Sequence, residues 1–250
     1  MFKNLEIKIL LLVILGSLLF ISCEDETKTL DSTLFGYEFF PLEEGKYWIY
    51  KMDQTLVKSQ GTVTENSVFY LREDVTESFV NTTGDTIYKI QRSMSDSFDG
   101  SYVTTDVWTA QITEEAAYRT EENLRFVKMV FPFNVGTTWE GNLFDNLVEV
   151  IVAEETVQAY KDWGDYEVTA KGIAVSVEGN NYDNVVTIDQ ANVEDNDIEY
   201  RIAKEQYAVG VGMIKKELSI LDTQCPCPGQ TWLEKAEAGF ILTQTLVETN

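Results

Sequence analysis

Cys225 and Cys227 stand two residues apart in Cys225-Pro226-Cys227-Pro228-Gly229, a segment that also holds two of the four prolines in the chain. Thiols this close can form a small ring disulfide in an oxidising compartment. Two thiolates without an imidazole make an incomplete metal site, and the spacing is not the C-x-x-C of redox motifs. The segment therefore reads as a disulfide or free-thiol loop. Histidine is absent from all 250 residues. That removes Ser-His-Asp and Cys-His catalysis, and with them the familiar His-ligated zinc, haem and copper sites. The patterns GxSxG, SxxK, GxxxxGK[ST] and GxGxxG are also missing. Hydrolysis by two carboxylates survives these exclusions, but among 42 acidic residues no pair stands out. The sequence assigns no catalytic residue, no metal ligand and no cofactor.

Aromatic rings are the next group with chemical use, because sugar faces stack on them. The tryptophans are Trp48, Trp108, Trp139, Trp163 and Trp232. Aromatic side chains mostly fill β-cores, where each buries about 150–250 Å². Trp163 lies in the polar turn Lys161-Asp162-Trp163-Gly164-Asp165 and is the first candidate for an exposed stacking ring; Trp232, beside the cysteine loop, is the second. Ser95 to Gly100 has the oxygen-rich look of a calcium loop but lacks the acids of an EF-hand, so it reads as a hairpin turn. Asp195, Asp197 and Glu199 alternate at the start of a strand and read as a solvated hairpin tip.

The formal charge of −23 limits the partners. Phosphate backbones and anionic headgroups are bound by Lys and Arg, so nucleic acid is excluded as a partner class. A solvated acidic face that keeps the chain soluble is the first reading of the charge, and collective binding of divalent cations by clustered carboxylates is the second.

The elements that must position these residues alternate at period two. Tyr50 and Met52 follow Trp48 on one strand face, with Lys51 and Asp53 on the other. Val-, Thr- and aromatic-rich runs recur from 62 to 248 between Gly, Asn and Asp clusters, and short helices are expected only around 113–122 and 231–238. The expected fold is all-β and mostly antiparallel, as one large curved sheet or half-barrel or as two packed modules. The module alternative rests on a repeat. Phe40-Pro41-x-x-x-Gly45-x-x-Trp48 and Phe131-Pro132-x-x-x-Gly136-x-x-Trp139 share the pattern F-P-x-x-x-G-x-x-W, 91 residues apart. Proline and glycine place each copy in a loop that delivers its Trp into a strand, so related modules would span 39–130 and 131–250.

At the N-terminus, Lys3 and Lys8 precede an apolar run of 13 residues, Ile9 to Ile21, broken only by Gly16-Ser17. A membrane span needs about 20 residues, so 1–22 reads as a secretory signal peptide. Phe20-Ile21-Ser22-Cys23 resembles the lipobox of bacterial lipoproteins, although Phe20 replaces the usual Leu. The resemblance implies acylation of Cys23, a lipid anchor in the membrane and a mature chain of charge −24. Residues 23–38 are charged and Ser/Thr-rich and read as a flexible tether to a β-rich domain over 39–250.

The acidic residues after Cys23, together with strings such as Asn123–Pro132, Thr138–Asn142 and Tyr207–Glu217, resemble uncharacterised Bacteroidota envelope lipoproteins. That resemblance implies an outer-membrane anchor, with the domain facing either the cell surface or the periplasm. The leading expectation is a membrane-anchored, non-catalytic envelope lipoprotein with a binding or structural role and a glycan or protein ligand. The alternatives are a carrier of lipid or another apolar ligand in the curved sheet, and a carboxylate-based glycoside hydrolase.

Overall fold

The computed structural model describes residues 35–144, 147–194 and 197–250. The expected signal peptide over 1–22, Cys23 and most of the expected tether lie outside the described residues. A short 3-10 turn, Tyr37–Phe39, precedes fourteen described strands: Tyr47–Lys58 (β1), Val63–Val80 (β2), Thr86–Ser95 (β3), Val103–Ile112 (β4), Ala116–Glu121 (β5), Leu124–Val130 (β6), Thr138–Trp139 (β7), Glu149–Val152 (β8), Glu155–Gln158 (β9), Tyr166–Val177 (β10), Asn180–Val193 (β11), Glu199–Ala208 (β12), Gly212–Asp222 (β13) and Ala238–Thr249 (β14). The one described α-helix, Trp232–Lys235 (α1), is held by a capping box between Thr231 and Glu234. The all-β expectation holds. The helix expected around 113–122 does not form. Ala117, Arg119 and Glu121 alternate with Tyr118 and Thr120, and this two-residue period makes the segment strand β5.

Twelve of the described strands form one antiparallel sheet in the order β6-β5-β4-β3-β2-β1-β14-β13-β12-β11-β10-β7, and β8 and β9 form a separate hairpin. The first half of the chain supplies six neighbouring strands and the second half the other six. They join where β1 pairs with β14 from Trp48↔Thr249 to Val57↔Gly239. The outer edges also meet. Val127 N–H donates to Gly141 O at 2.8 Å and Leu143 N–H to Arg125 O at 3.0 Å, so β6 pairs with the chain that continues β7. The sheet is nearly closed into a barrel, and closure satisfies edge groups that would otherwise recruit another strand.

The repeated sequence corner is also a repeated structure. In the first copy Lys46 N–H donates to Glu43 O (3.0 Å), Gly45 N–H to Val75 O (2.8 Å), and Val75 N–H to Lys46 O (2.8 Å). In the second, Thr137 N–H donates to Asn134 O (3.0 Å), Gly136 N–H to Val168 O (2.8 Å), and Val168 N–H to Thr137 O (3.0 Å). Gly45 and Gly136 take φ of 86° and 85°, a left-handed conformation that suits glycine. The strand register slips just after each of the two valines, at Thr76 and at Thr169. Each Trp then bonds across to the other half: Trp48 Nε1–H donates to Val211 O at 2.6 Å and Trp139 Nε1–H to Val127 O at 2.8 Å. The two halves share one sheet and one core, and the described residues form a single compact unit.

An eight-stranded barrel is just filled by its own inward side chains, so twelve strands leave more to fill. Large rings and long charged side chains occupy the space. Phe144, Tyr160 and Trp163 come from the segment joining β7 to β10, and Phe144 and Tyr160 stack edge to face at 5.0 Å. Phe144 also meets Phe126 of β6 at 5.0 Å, and Trp163 meets Tyr160 at 5.1 Å.

Candidate functional site

The inward face of several strands carries charge among apolar residues. On β2 the buried run is Leu71, Glu73 and Val75; on β12 it is Ala203, Glu205 and Tyr207. Arg92 on β3 lies directly opposite Glu73, and Lys216 on β13 directly opposite Glu205. Arg119 and Glu121 share the inner face of β5. Lys128 enters differently. Ala117 pairs with Met129 and Tyr118 with Val127, so Lys128 is the extra residue of a β-bulge, a device that re-aims side chains.

These seven residues form one chain of charge contacts through the interior. Glu73 Oε1 accepts from Arg119 Nη2 at 2.5 Å and from Arg92 Nε at 3.1 Å. Arg119 Nε lies 3.5 Å from Glu121 Oε1, which lies 3.7 Å from Lys128 Nζ. Lys128 Nζ donates to Glu205 Oε1 at 2.6 Å, and Lys216 Nζ is 3.3 Å from the same oxygen. Tyr207 OH donates to Glu205 Oε2 at 2.6 Å. The Arg92 guanidinium sits 3.5 Å from the centre of the Trp108 ring, a cation–π contact, and the Trp108 indole donates to Glu122 at 3.0 Å.

A cavity of about 100 Å³ opens onto this network, with Met52, Trp108, Met213, Leu218, Leu242 and Gln244 completing its wall. A smaller cleft of about 30 Å³ beside Phe40, Trp48 and Tyr50 shares Glu73 and Arg119 with it. Among the described residues, the network has four cations and three carboxylates, in a chain whose overall charge is −23. Asp106 approaches Arg92 Nη1 at 3.9 Å from a more exposed position.

Burial alone would raise the Glu205 carboxyl, but the ammonium groups of Lys128 and Lys216, with hydrogen bonds from Lys128 and Tyr207, outweigh it and hold the pKa down at about 2. Glu121 is also lowered: burial opposes ionisation, and Lys128, Lys216 and Arg119 overcome it. Burial works against the Lys216 charge too, yet Glu121 and Glu205 keep its pKa raised. Burial pushes the phenols of Tyr50, Tyr166 and Tyr207 well above their ordinary value. A glycosidase acid must be protonated at working pH, and both Glu121 and Glu205 are held ionised. The arrangement can orient and bind a polar group, and its cations favour the ionised form of both carboxylates over the protonated form a general acid needs.

Trp163 was expected to stand free in a polar turn and is instead buried, 8 % exposed, against Tyr160 and Tyr166. The turn folds inward because the ring fills the wide barrel. Trp232 is half-buried on α1, with Tyr200 stacked on it at 5.2 Å and Lys235 Nζ 3.7 Å from the ring centre. Cys225 and Cys227 are joined, with Cα atoms 5.2 Å apart. Ser95 to Gly100 is the turn between β3 and β4, closed by Gly100 N–H donating to Ser97 O at 3.0 Å. Glu199 pairs with Lys161, and Asp195 lies outside the described residues. Among the described residues no group of three acidic or cysteine side chains is placed to hold a metal ion. None of the seven network residues was singled out from sequence. A charge flanked at two-residue spacing by apolar residues, as in Leu71-x-Glu73-x-Val75, was the available signal.

No protein-family model matches this chain, and no curated protein matches it. Solved structures do. A Bacteroides fragilis protein described as exported, with a YmcC-like fold, is 11 % identical with a TM-score of 0.38, over 85 % of this chain and 98 % of that one. A Parabacteroides distasonis protein described as a lipoprotein is 13 % identical with a TM-score of 0.37, over the same shares.

Proposed function

We propose that this chain is a lipid-anchored, non-catalytic binding protein of the bacterial cell envelope, and that its ligand places a polar group in the charged cavity of the barrel. The signal-peptide-like start and the lipobox-like Cys23 support the envelope reading, and the resemblance of the acidic stretch behind Cys23 to that of Bacteroidota lipoproteins supports an outer-membrane anchor. The observation that carries the binding reading is the network of Glu73, Arg92, Arg119, Glu121, Lys128, Glu205 and Lys216 beside an open volume of about 100 Å³. Buried ion networks seldom add net stability over apolar packing, which supports a role in recognition for this one.

The same geometry argues against the apolar carrier. Cavities for drug-sized ligands run about 300–1,000 Å³ and are mostly apolar, whereas the space here is smaller and charged. A glycan or the polar side of a protein partner fits better. A ligand at 100 times its Kd adds about 2.7 kcal/mol to native stability, so thermal shift reads the class directly. The full chain, screened against glycans, organic acids, fatty acids and calcium, is expected to shift with a polar organic ligand. A shift with fatty acids alone would overturn the reading. Intact-mass analysis of wild type and Cys23→Ala tests the anchor, which predicts acyl mass in the first and none in the second.

A further inference from the structure

We propose that the group held in the cavity is a carboxylate, supplied by a small organic acid or by an acidic sugar; this rests on the binding reading above. The first argument is charge. The network sets two arginines and two lysines, buried or partly buried, against three glutamates, one positive charge in excess. Asp106, directly opposite Arg92, pairs with it at 3.9 Å, with about a third of its side chain exposed, so it offsets the excess only in part. Charges in a low-dielectric interior interact strongly, so a cation compensated only from a wetter position favours an anionic guest.

The second argument is a free donor. Arg119 is buried, and its Nε–H has no hydrogen-bond partner. Its Nη2 is committed to Glu73, and Glu121 Oε1 lies at 3.5 Å without a bonding geometry. An unmet buried N–H costs about 1–3 kcal/mol, and a guest acceptor removes that cost. Size is the third. One water needs ~10–15 Å³ of such space, so about 100 Å³ has room for a carboxylate and attached atoms.

The test is calorimetric titration of the full chain with propionate, glucuronate and glucose at matched ionic strength, repeated with Lys216→Gln and Arg119→Lys. Propionate and glucuronate are expected to bind and glucose is not. Each substitution should weaken binding by about 10- to 100-fold, the range for a hydrogen bond to a charged group. Lys216→Gln, at the more exposed end of the network, keeps the test alive if Arg119→Lys fails to fold. Binding of glucuronate but not propionate assigns the acidic-sugar source, and the reverse pattern assigns the small acid. Equal binding of glucose and glucuronate overturns the carboxylate and leaves the binding reading standing. If no carboxylate binds and the ligand screen is also silent, both fail and the network is a structural one.

Discussion

Lys128 donates to Glu205 at 2.6 Å across 77 residues of sequence, and the bond joins the two six-stranded halves inside the barrel. Lys128 reaches Glu205 only because a β-bulge turns it inward, and Glu205 is ready to accept because Lys216 and Tyr207 already hold it. The halves are therefore tied by charge at the centre as well as by strand pairing at β1 and β14.

Glu205→Gln should be costly. It leaves Lys128 buried, and Lys216 partly buried, beside a neutral amide, and breaking a buried pair costs about 3–5 kcal/mol. Urea unfolding at pH 7 is the measurement. The Lys128→Met, Glu205→Leu double variant should lose less than the sum of the two single changes, because it removes both charges together.

Acid should weaken the wild type more than Glu205→Gln. Glu205 titrates at about 2 when folded against an ordinary 4.5, so its contribution is full above about pH 4.5 and disappears as pH falls toward 2. The displacement corresponds to about 3 kcal/mol, and the lowered Glu121 acts in the same direction. Urea midpoints from pH 7 to pH 2.5 should fall steeply for the wild type and more gently for the variant. Parallel curves would show that Glu205 is not held ionised by its neighbours.

Gly45→Ala and Gly136→Ala should behave as a pair. Both glycines have positive φ with no atom within 4 Å of an added Cβ, so each change costs only the backbone penalty, about 1–2 kcal/mol. Gly141→Ala and Gly239→Ala should be far worse. Their added carbons would overlap the Tyr166 ring and the Ile220 carbonyl. Thermal melts of the four variants separate the groups, and a large difference between Gly45→Ala and Gly136→Ala would deny that the two corners are equivalent.

Trp163→Ala should cost about 3–5 kcal/mol, as expected for a fully packed ring. Trp232→Ala should cost less, because that ring lies at the surface on a single helical turn. If denaturant melts rank them the other way, the burial of Trp163 is wrong and its use as an exposed sugar platform returns.

The strands and the repeated corner were legible because both are local. Period-two alternation marks a strand wherever one face is buried, and Pro-x-x-x-Gly followed by Trp marks the corner. The sequence carries a second local repeat: Asp74-Val75-Thr76 and Glu167-Val168-Thr169 place the same bulge on the strand beside each corner. Trp163 was misread for a physical reason. Polar neighbours in sequence report the turn it sits in, and say nothing of the barrel interior the ring enters.

By itself the sequence determined the class of the fold, the corner that recurs 91 residues later, the absence of histidine chemistry and the lipoprotein-like start. Each of these depends on residues that are neighbours along the chain or on residue types alone. Only the tertiary structure decided that both halves share one barrel, and that Glu73, Arg92, Arg119, Glu121, Lys128, Glu205 and Lys216 meet inside it. Their meeting depends on which strands pair, on a one-residue bulge that turns Lys128 inward, and on the width of twelve strands. Charged residues on a strand read as solvent-facing until closure of the sheet makes their side of it the interior.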